Sequence, residues 1–479
     1  MGDITATLAQ FVSETHFDDL PGSVVQKIKE VLLDSIGCAL GGYATERGKI
    51  AIELSESFGE KPEATIIGYK KVASPNASFV NGELINCLDY DVLGPIGGHV
   101  APYVIPPTLA LSEKTGKNGK DLITALAIAL EVGGRMLASL SHLKVPKSEP
   151  PYYEEAPRFS YTSVIFGAVA GACKSLRVNE ETVRSAFGIG GTSTPIPGGQ
   201  KWEYLEGANV NLKYGCWAGW IAMLGTVAAM AAQRGFTGDP TILDGKYGFW
   251  QMYGSPFFKE DVLTNGLRKI WHIERINFKF YPCCYIDHTS IEAIEQLVQE
   301  NDISPEEIDE IIVYGDPLML TPNRWPEEIR TQEDCQFAHA YLFALAATQK
   351  GKPGPNWQLP DFFNDPQVKN LMPKVKVKPH PQGAELTADT LKKGSYSSFR
   401  NIVAEISARG KKFTMEVAVA KGEPLKVLTT AELEGKFRHN ASYSWLKKEK
   451  GEQAIEAVWN LDQLASITEL TDALGIGTS

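Results

Sequence analysis

Residues 216–232 read CWAGWIAMLGTVAAMAA, the longest apolar stretch in the chain. The stretch is shorter than the roughly 20 residues that a membrane-spanning helix needs, and it is rich in Ala and Gly. Because small side chains let neighbouring helices approach closely, the stretch predicts a helix buried at the centre of a helical bundle. A membrane span is the alternative interpretation, and we expect no membrane contact.

Helical patterns continue on the N-terminal side of this stretch. Residues 122–131 and 164–173 are apolar and carry Ala or Gly at several positions, and strand signals are nearly absent up to about residue 270. Another series of apolar residues recurs at helical spacing and ends at Gly41 and Gly42: Val24, Val25, Ile28, Val31, Leu32 and Ile36. A large all-α domain is therefore predicted over residues 1–270.

The pattern changes to mixed helix and strand after about residue 272. Residues 308–314 form a β-branched run, residues 374–378 alternate strictly as KVKVK, and two further alternating runs flank Arg409-Gly410-Lys411, a plausible hairpin turn. We therefore predict a mainly α fold, in which a smaller α+β lid domain over residues 271–428 is inserted. Residues 429–479 are helical again and are expected to return to the first domain. A cleft between the two domains would suit a small ligand.

Composition limits the partners and the compartment. The 47 Lys and Arg against 58 Asp and Glu give a net charge of −11, without a long basic run, so we expect no nucleic-acid partner. No secretory signal is recognisable at the N-terminus. The seven dispersed cysteines fit a reducing compartment, and a cytoplasmic protein is predicted.

The first segment that could carry chemistry is residues 81–107. It opens like a helix, places Asp89 and Asp91 at the end of that helix, and loosens into a loop rich in Gly and Pro before His99. Two carboxylates and a histidine delivered to one place favour a functional site. A capped helix end followed by a surface histidine is an equally weighted alternative on residue types alone.

The second segment is residues 278–292. Asp287 or Thr289 can cap a helix that begins near Ser290, and His288 would then lie at the helix N-terminus, where the macrodipole attracts anions. With Lys279 nearby in sequence, this placement suits recognition of a carboxylate, although His288 could also be a second cap. The adjacent pair Cys283-Cys284 cannot easily serve one tetrahedral ion, so we expect no metal.

The third segment is residues 206–220, in which Lys213 precedes the most apolar helix. This lysine is either a surface residue whose stem lies along apolar surface or a charge directed into a cavity, and residue type alone favours the surface interpretation. Sequences typical of serine hydrolases, kinases and zinc proteases are absent.

Together, the three segments resemble the MmgE/PrpD family, which includes 2-methylcitrate dehydratase, cis-aconitate decarboxylase and iminodisuccinate epimerase. The family stretch N-G-x-x-x-x-x-L-D-x-D, its Gly/Pro loop and a histidine before V-x-P correspond to residues 81–106. The family motif K-x-Y-P-x-C-x-x-x-H corresponds to Lys279, Tyr281, Pro282, Cys284 and His288. The resemblance covers nearly the whole chain. It implies a large helical domain, a smaller α+β lid and a homodimer.

The resemblance also implies which residues act. Asp89, His99 and His288 match catalytic positions of the family. Lys213 matches the family lysine with one extra residue of spacing, so Tyr214 could occupy that position instead. Tyr161 stands where many relatives carry a histidine. Leu93 stands where cis-aconitate decarboxylases carry a threonine.

We therefore expect a cofactor-independent hydro-lyase that acts on a small hydroxylated di- or tricarboxylate by proton transfer next to a carboxylate. His99 and His288 would form the acid/base pair, Asp89 would orient one of them, and Lys213 and Tyr161 would complete the catalytic set. The substrate-binding residues would be Asp91, Lys279, Tyr281 and Tyr214. A decarboxylase or epimerase of a related acid is the first alternative, and a non-catalytic carboxylate-binding relative is the second.

Overall fold

The computed structural model of the protein describes residues 3–59, 61–94, 98–140, 160–255, 258–383, 385 and 402–476. Helices dominate the described residues, and strands form only a small part of them. The prediction of a mainly α protein is confirmed. Part of the Gly/Pro loop before His99, residues 95–97, lies outside the described residues.

The first part of the chain forms twelve helices within the described residues, together with the two-residue strands β1 (Ala64–Thr65) and β2 (Lys71–Val72), which the sequence did not predict. The helices are α1 (Ile4–Glu14), α2 (Gly22–Gly41), α3 (Glu46–Glu56), α4 (Ser74–Asn86), α5 (Ala101–Lys114), α6 (Gly119–Leu140), α7 (Ile165–Leu176), α8 (Glu180–Thr192), α9 (Gly199–Glu203), α10 (Ala218–Gln233), α11 (Phe249–Met252) and α12 (Glu260–Thr264).

The second part combines helices with a four-stranded sheet. Its helices are α13 (His288–Glu300), α14 (Gln332–Phe337), α15 (His339–Thr348), α16 (Pro360–Phe363) and α17 (Pro366–Leu371). Its strands are β3 (Ile308–Gly315), β4 (Val375–Pro379), β5 (Ile402–Ala408) and β6 (Lys411–Val417). The sheet order is β4-β3-β5-β6, with β3 and β4 parallel and the other pairs antiparallel. The turn between β5 and β6 places Arg409 and Gly410 at φ 54° and 67°, as a tight hairpin requires.

Three helices follow the sheet: α18 (Thr430–Ala441), α19 (Lys448–Trp459) and α20 (Thr468–Leu474). Their buried side chains, such as Phe437 and Val458, belong to the same hydrophobic core as helices α1 to α8. A separate core contains the sheet and helix α13, and it also takes in Trp202 and Tyr214 from the first part of the chain. The exact boundaries at residues 270 and 428 stay predictions.

Helix α10 lies in the stretch predicted to be buried throughout. Its Ala and Gly side chains pack closely, and at Gly225 an added Cβ would approach the Ala168 Cβ of α7 to 2.6 Å. Trp220 and Val227, however, are 45% and 42% exposed, so only one face is buried. By length and composition alone, α6 and the segment Lys213–Gln233 could cross a membrane; 94% and 56% of their apolar windows are buried.

Candidate active site

The carboxylate of Asp89 lies at the centre of the site. Asp89 follows α4 with φ 53°, a left-handed conformation that is strained for a residue with a Cβ, and it is fully buried. Its Oδ1 lies 3.0 Å from the hydroxyl of Tyr214, 3.3 Å from Nζ of Lys213 and 3.3 Å from Nε2 of His99. Its Oδ2 lies 2.5 Å from Nζ of Lys279. One carboxylate therefore brings four of the predicted site residues together.

The charges around Asp89 decide its ionisation. Burial alone would raise the pKa of this carboxyl, but Lys213 and Lys279 outweigh burial, and the contact with His99 adds to their effect. The pKa of Asp89 is therefore held well below its usual value. A carboxylate that is fixed as an anion between two ammonium groups organises charge and is poorly suited to carry protons.

Lys279 and Lys213 differ in how many of their N–H donors are used by contacts within the protein. Burial favours the neutral form of Lys279, but Asp89 and Asp91 outweigh it and raise its pKa. Nζ of Lys279 donates to the Asp89 carboxylate, to the Asp89 carbonyl at 2.9 Å and to the Cys283 carbonyl at 3.0 Å, which uses all three hydrogens. The predicted role of Lys279 in substrate binding stays a prediction. These contacts favour a role in fixing the backbone around Asp89.

Lys213 is buried and directed inward, so the surface interpretation of this residue is wrong. Burial lowers the pKa of Lys213, and the attraction of Asp89 offsets only part of that effect. Its Nζ contacts Asp89 and donates to Oε1 of Gln336 at 2.8 Å. An ammonium group has three donors, so among the described residues one N–H of Lys213 is left for a ligand. The sequence left open whether Lys213 or Tyr214 occupies the position of the family lysine. In the structure both side chains contact Oδ1 of Asp89.

His99 lies between two carboxylates. Its Nδ1 is 2.7 Å from Oδ2 of Asp91, and its Nε2 is 3.3 Å from Oδ1 of Asp89. Asn86, the last residue of α4, donates to the other oxygen of Asp91 at 3.3 Å. The sequence predicts that Asp89 orients a histidine and that Asp91 binds substrate, but the shorter contact with His99 comes from Asp91. Both contacts of the ring can be hydrogen bonds only when both nitrogens carry protons.

His288 has the opposite environment. It is the first residue of α13 and is fully buried, and neither ring nitrogen has a hydrogen-bond partner of normal geometry among the described residues. Burial and the neighbouring Lys279 hold the pKa of His288 well below its usual value, and the backbone of Cys283 acts weakly in the other direction. Its imidazole is therefore neutral near pH 7.

The local structure around His288 corrects one prediction. The helix begins at His288 and not near Ser290. Asp287 stands at the N-cap position, but its side chain does not cap the helix. Its Oδ1 instead lies 2.6 Å from Nδ1 of His339, at the start of α15. The Asp287 carboxylate is thus used in the contact with His339 and not in capping the helix.

Aromatic rings lie beside His99. Tyr161 begins a 3-10 turn before α7, and its ring centre lies 5.4 Å from that of His99 and 5.2 Å from that of Tyr214. The chain approaches so closely that a Cβ added at Gly98 would stand 2.9 Å from the Tyr161 ring. Burial and the nearby Asp89 raise the pKa of Tyr161 well above its usual value, so its hydroxyl keeps its proton.

Tyr281 is placed differently from the prediction. Its hydroxyl donates to Oε2 of Glu295 on α13 at 2.6 Å, and its ring stands edge-on to His288 at 5.3 Å. The substrate-binding role of Tyr281 stays a prediction. The hydrogen bond to Glu295 favours a role in positioning the ring of His288.

Two glutamines at the site, Gln336 and Gln358, are not among the residues predicted from the sequence. The Nε2 of Gln336 donates to the Cys87 carbonyl and to Oε1 of Gln358, while its Oε1 accepts from Lys213. Gln358 in turn donates to the carbonyl of Leu88. The chain from Gln358 to Lys213 links both parts of the protein. Neither glutamine lies in a recognisable motif, because only the fold brings them to the site.

Leu93 lies between the two carboxylates and His99 in sequence. Its backbone exchanges two hydrogen bonds with Asn277, at 2.9 and 3.0 Å, and it forms an isolated bridge with His99. Its side chain packs with Tyr285 and Ala420. No group of three or more His, Cys, Asp or Glu side chains suited to a metal ion occurs in the part of the chain that the structure describes.

The fold and this site define the class of protein. Residues 6–260 match the MmgE/PrpD N-terminal domain, and residues 281–463 match the MmgE/PrpD C-terminal domain. The chain belongs to the MmgE/PrpD family.

Three relatives are similar to this chain. Human cis-aconitate decarboxylase is 27% identical over 488 residues, which cover 98% of this chain and 94% of the relative. The mouse cis-aconitate decarboxylase is 25% identical over 98% of this chain and 93% of its own length. The Aspergillus terreus cis-aconitate decarboxylase is 26% identical over 61% of this chain and 60% of its own length. The chain is an enzyme of the lyase class.

Proposed function

We propose that this protein is a hydro-lyase that removes water from a small hydroxylated di- or tricarboxylate, such as 2-methylcitrate, without a cofactor. The observation that carries the proposal is the contrast between the two histidines. The ring of His288 is neutral and unpartnered among the described residues, while His99 is held between Asp91 and Asp89. One imidazole is suited to accept a proton and the other to donate one.

In the proposed reaction, a ring nitrogen of His288 removes the proton from the carbon next to a carboxylate. The electron pair of that C–H bond forms the carbon–carbon double bond while the C–O bond on the neighbouring carbon breaks. His99, or Tyr161 in its place, donates the proton with which the hydroxide leaves as water. The remaining N–H of Lys213 stabilises the negative charge that develops on the carboxylate oxygens.

Decarboxylation is the second candidate, because the three relatives described above are cis-aconitate decarboxylases. In that reaction the carbon–carbon bond to one carboxylate breaks, carbon dioxide leaves, and the electron pair left on carbon takes a proton from a histidine. Such a step needs a donor but no base, so the neutral His288 favours dehydration. Epimerisation of a related acid would use the same two histidines.

A non-catalytic carboxylate-binding protein is the candidate of another class. Leu93 stands in place of a threonine and removes its hydroxyl, and Tyr161 stands in place of a histidine, so the polar contacts offered to a tricarboxylate differ from the family pattern. The retained pair of histidines argues against this candidate, since binding alone does not require a neutral base beside a fixed carboxylate.

The residues of the proposed site come from both parts of the chain. His99, Asp89 and Asp91 come from the first part of the chain, whereas His288 begins the first helix of the second part. We propose that the second part acts as a lid that closes over the helical part. Closure would exclude water from the enediolate and strengthen each charge contact.

We also propose that the protein is a cytoplasmic homodimer that associates through the exposed face of α10. Trp217, Trp220 and Val227 are each more than 40% exposed there, and Trp217 stacks on Trp220 with ring centres 6.2 Å apart. An exposed apolar cluster of this kind is typical of an interface. A second copy of the chain would cover this face of α10, because the family that the chain resembles is homodimeric.

Two assays in parallel test the reaction. Citrate, 2-methylcitrate, cis-aconitate and smaller hydroxy acids are incubated with the enzyme, while the absorbance of a new conjugated alkene and the release of carbon dioxide are followed. We expect alkene formation without carbon dioxide, and we expect that H99A and H288A lose activity while remaining folded. Carbon dioxide release would establish the second candidate, and full activity in both variants would falsify the assignment of the histidines.

A further inference from the structure

Arg324 is a buried cation that the proposed chemistry does not use. It ends the 3-10 turn Pro322–Arg324, and only 3% of its surface is exposed. Neither its Nε nor its Nη1 has a hydrogen-bond partner among the described residues. Buried guanidinium groups without partners are costly, because desolvation of the charge is not compensated.

Arg135 is a second buried arginine, and its guanidinium has hydrogen-bond partners within the protein. Its Nε donates to Glu131 at 2.7 Å, and its Nη1 and Nη2 donate to backbone carbonyls that include those of Asn265 and Ile270. Every nitrogen of this buried side chain is therefore occupied. The contrast indicates that Arg324 is not buried to support the fold.

Arg324 keeps its charge. Burial lowers the pKa of the guanidinium, but Cys284 and Asp287 outweigh burial and raise it. Asp287 does not satisfy the guanidinium directly: its Oδ1 lies 2.6 Å from His339, and its Oδ2 has no hydrogen-bond partner in the described part of the chain. The side chain of Cys284 also makes a hydrogen-bond contact with the guanidinium, while Nε and Nη1 have no partner of normal hydrogen-bond geometry among the described residues.

The guanidinium also lies beside the site. It is 5.8 Å from the centre of the Phe337 ring, which is 5.6 Å from the ring of Tyr214. The hydroxyl of Tyr214 contacts Asp89. Cys284 acts electrostatically on both Arg324 and Tyr214. Arg324 therefore lies near Tyr214 and Cys284, at the edge of the group of residues around Asp89.

We propose that Arg324 binds a carboxylate of the substrate other than the one next to the reacting carbon, and that it selects acids with this additional carboxylate. The inference rests on the proposed function for the identity of the reacting groups. The N–H groups of a buried guanidinium bind a carboxylate through charge-assisted hydrogen bonds, which are stronger than those between neutral groups. An acid without this carboxylate would leave the buried donors unpaired and would be rejected.

The test uses tricarballylate, a tricarboxylate without a hydroxyl group, as an unreactive probe. Its affinity is measured by calorimetry for the wild type, R324M and R324K, and the thermal midpoint of each ligand-free protein is recorded. R330M is the matched control, because Arg330 is exposed and paired with Glu328. We expect R324M to lose at least 10-fold in affinity, R324K to lose less, and R330M to match the wild type.

The ligand-free proteins separate binding from a structural role. Removal of an uncompensated buried charge leaves the thermal midpoint of R324M unchanged or raises it, whereas loss of a structural arginine lowers it. Tricarballylate affinity within twofold of wild type in R324M, a lowered ligand-free midpoint, or a wild type that does not bind the probe overturns the inference. Binding that depends on Arg324 without turnover of any acid contradicts the proposed function alone.

Discussion

Oδ2 of Asp91 lies 2.7 Å from Nδ1 of His99, which is the shorter of the two carboxylate contacts of this imidazole. The contact fixes the ring and places Nε2 towards Asp89. Asn86 in turn holds Asp91 through a hydrogen bond from the last residue of α4. The orientation of the proposed proton donor is therefore set by a residue that does not itself need to touch the substrate.

Replacement of Asp91 by Asn tests this relationship. D91N keeps the shape of the side chain but replaces the carboxylate that contacts Nδ1 of His99 by a neutral amide. We expect kcat to fall roughly 10²- to 10⁴-fold, the range attributed to a general acid or base, with little change in KM. Steady-state kinetics on the substrate found in the parallel assays measure both. A change confined to KM would instead support a substrate-binding role for Asp91.

Loss of Lys279 should destabilise the protein strongly. K279M leaves the buried carboxylate of Asp89 with fewer compensating charges, and breaking a buried ion pair costs about 3–5 kcal/mol. The shift of the urea midpoint measures this cost. The double variant D89N/K279M removes both charges and should recover part of the loss. Equal stability of K279M and the wild type would contradict the pairing.

The hydroxyl of Tyr161 should matter for turnover. Y161F keeps the ring packed between His99 and Tyr214 but removes the proton that burial retains on the hydroxyl. We expect kcat to fall about 10²-fold if Tyr161 donates a proton or holds a substrate oxygen. Y103F, at a buried tyrosine whose ring is 6.3 Å from Tyr161, is the matched control and should be close to wild type.

Glu295 should make stability depend on pH. Burial, opposed in part by the Tyr281 hydroxyl and assisted by Glu292, raises its pKa from 4.5 to about 7. Between these values the folded protein binds a proton that the unfolded chain has released, so the contribution of Glu295 to stability falls as pH rises through this window.

The variant E295Q does not titrate and keeps an acceptor for Tyr281. Its free energy of unfolding relative to wild type should therefore increase between pH 5 and pH 8, by roughly 1–3 kcal/mol. Urea denaturation at four pH values measures the difference. E300Q, at the exposed end of the same helix, should show no such trend.

The exposed face of α10 should control assembly. W220E places a charge in the proposed interface and should convert a dimer into a monomer, as measured by light scattering after size exclusion. L425E is the matched control, because Leu425 is also exposed, at 75%, but lies in the second part of the chain. Equal masses for W220E and the wild type would contradict the proposed interface.

Sequence periodicity was sufficient for elements whose burial is regular. The helical spacing from Val24 to Ile36 lies within α2, and the alternating runs around Arg409-Gly410-Lys411 form the hairpin of β5 and β6. In β5 buried and half-buried residues alternate, and in the first half of α2 the buried residues recur at helical spacing, so both patterns can be read from the local sequence.

The arrangement of the site could be predicted only in part. The motifs identified Asp89, His99 and His288, but they gave no indication that Asp91 faces His99 or that Gln336 supports Lys213. These contacts join residues that are far apart in sequence or depend on the left-handed backbone of Asp89. The exposed half of α10 was missed for a related reason: a run that is apolar all round does not reveal which face meets another surface.

The two backbone hydrogen bonds between Leu93 and Asn277 join the segment that follows the paired aspartates to the second part of the chain. These bonds do not involve the side chain at position 93, which points to Tyr285 and Ala420. Substitutions of Leu93 should therefore change the packing against Tyr285 and Ala420 while the hydrogen bonds to Asn277 persist. Variation of the side chain at this position is compatible with the backbone contact that joins the two parts of the chain.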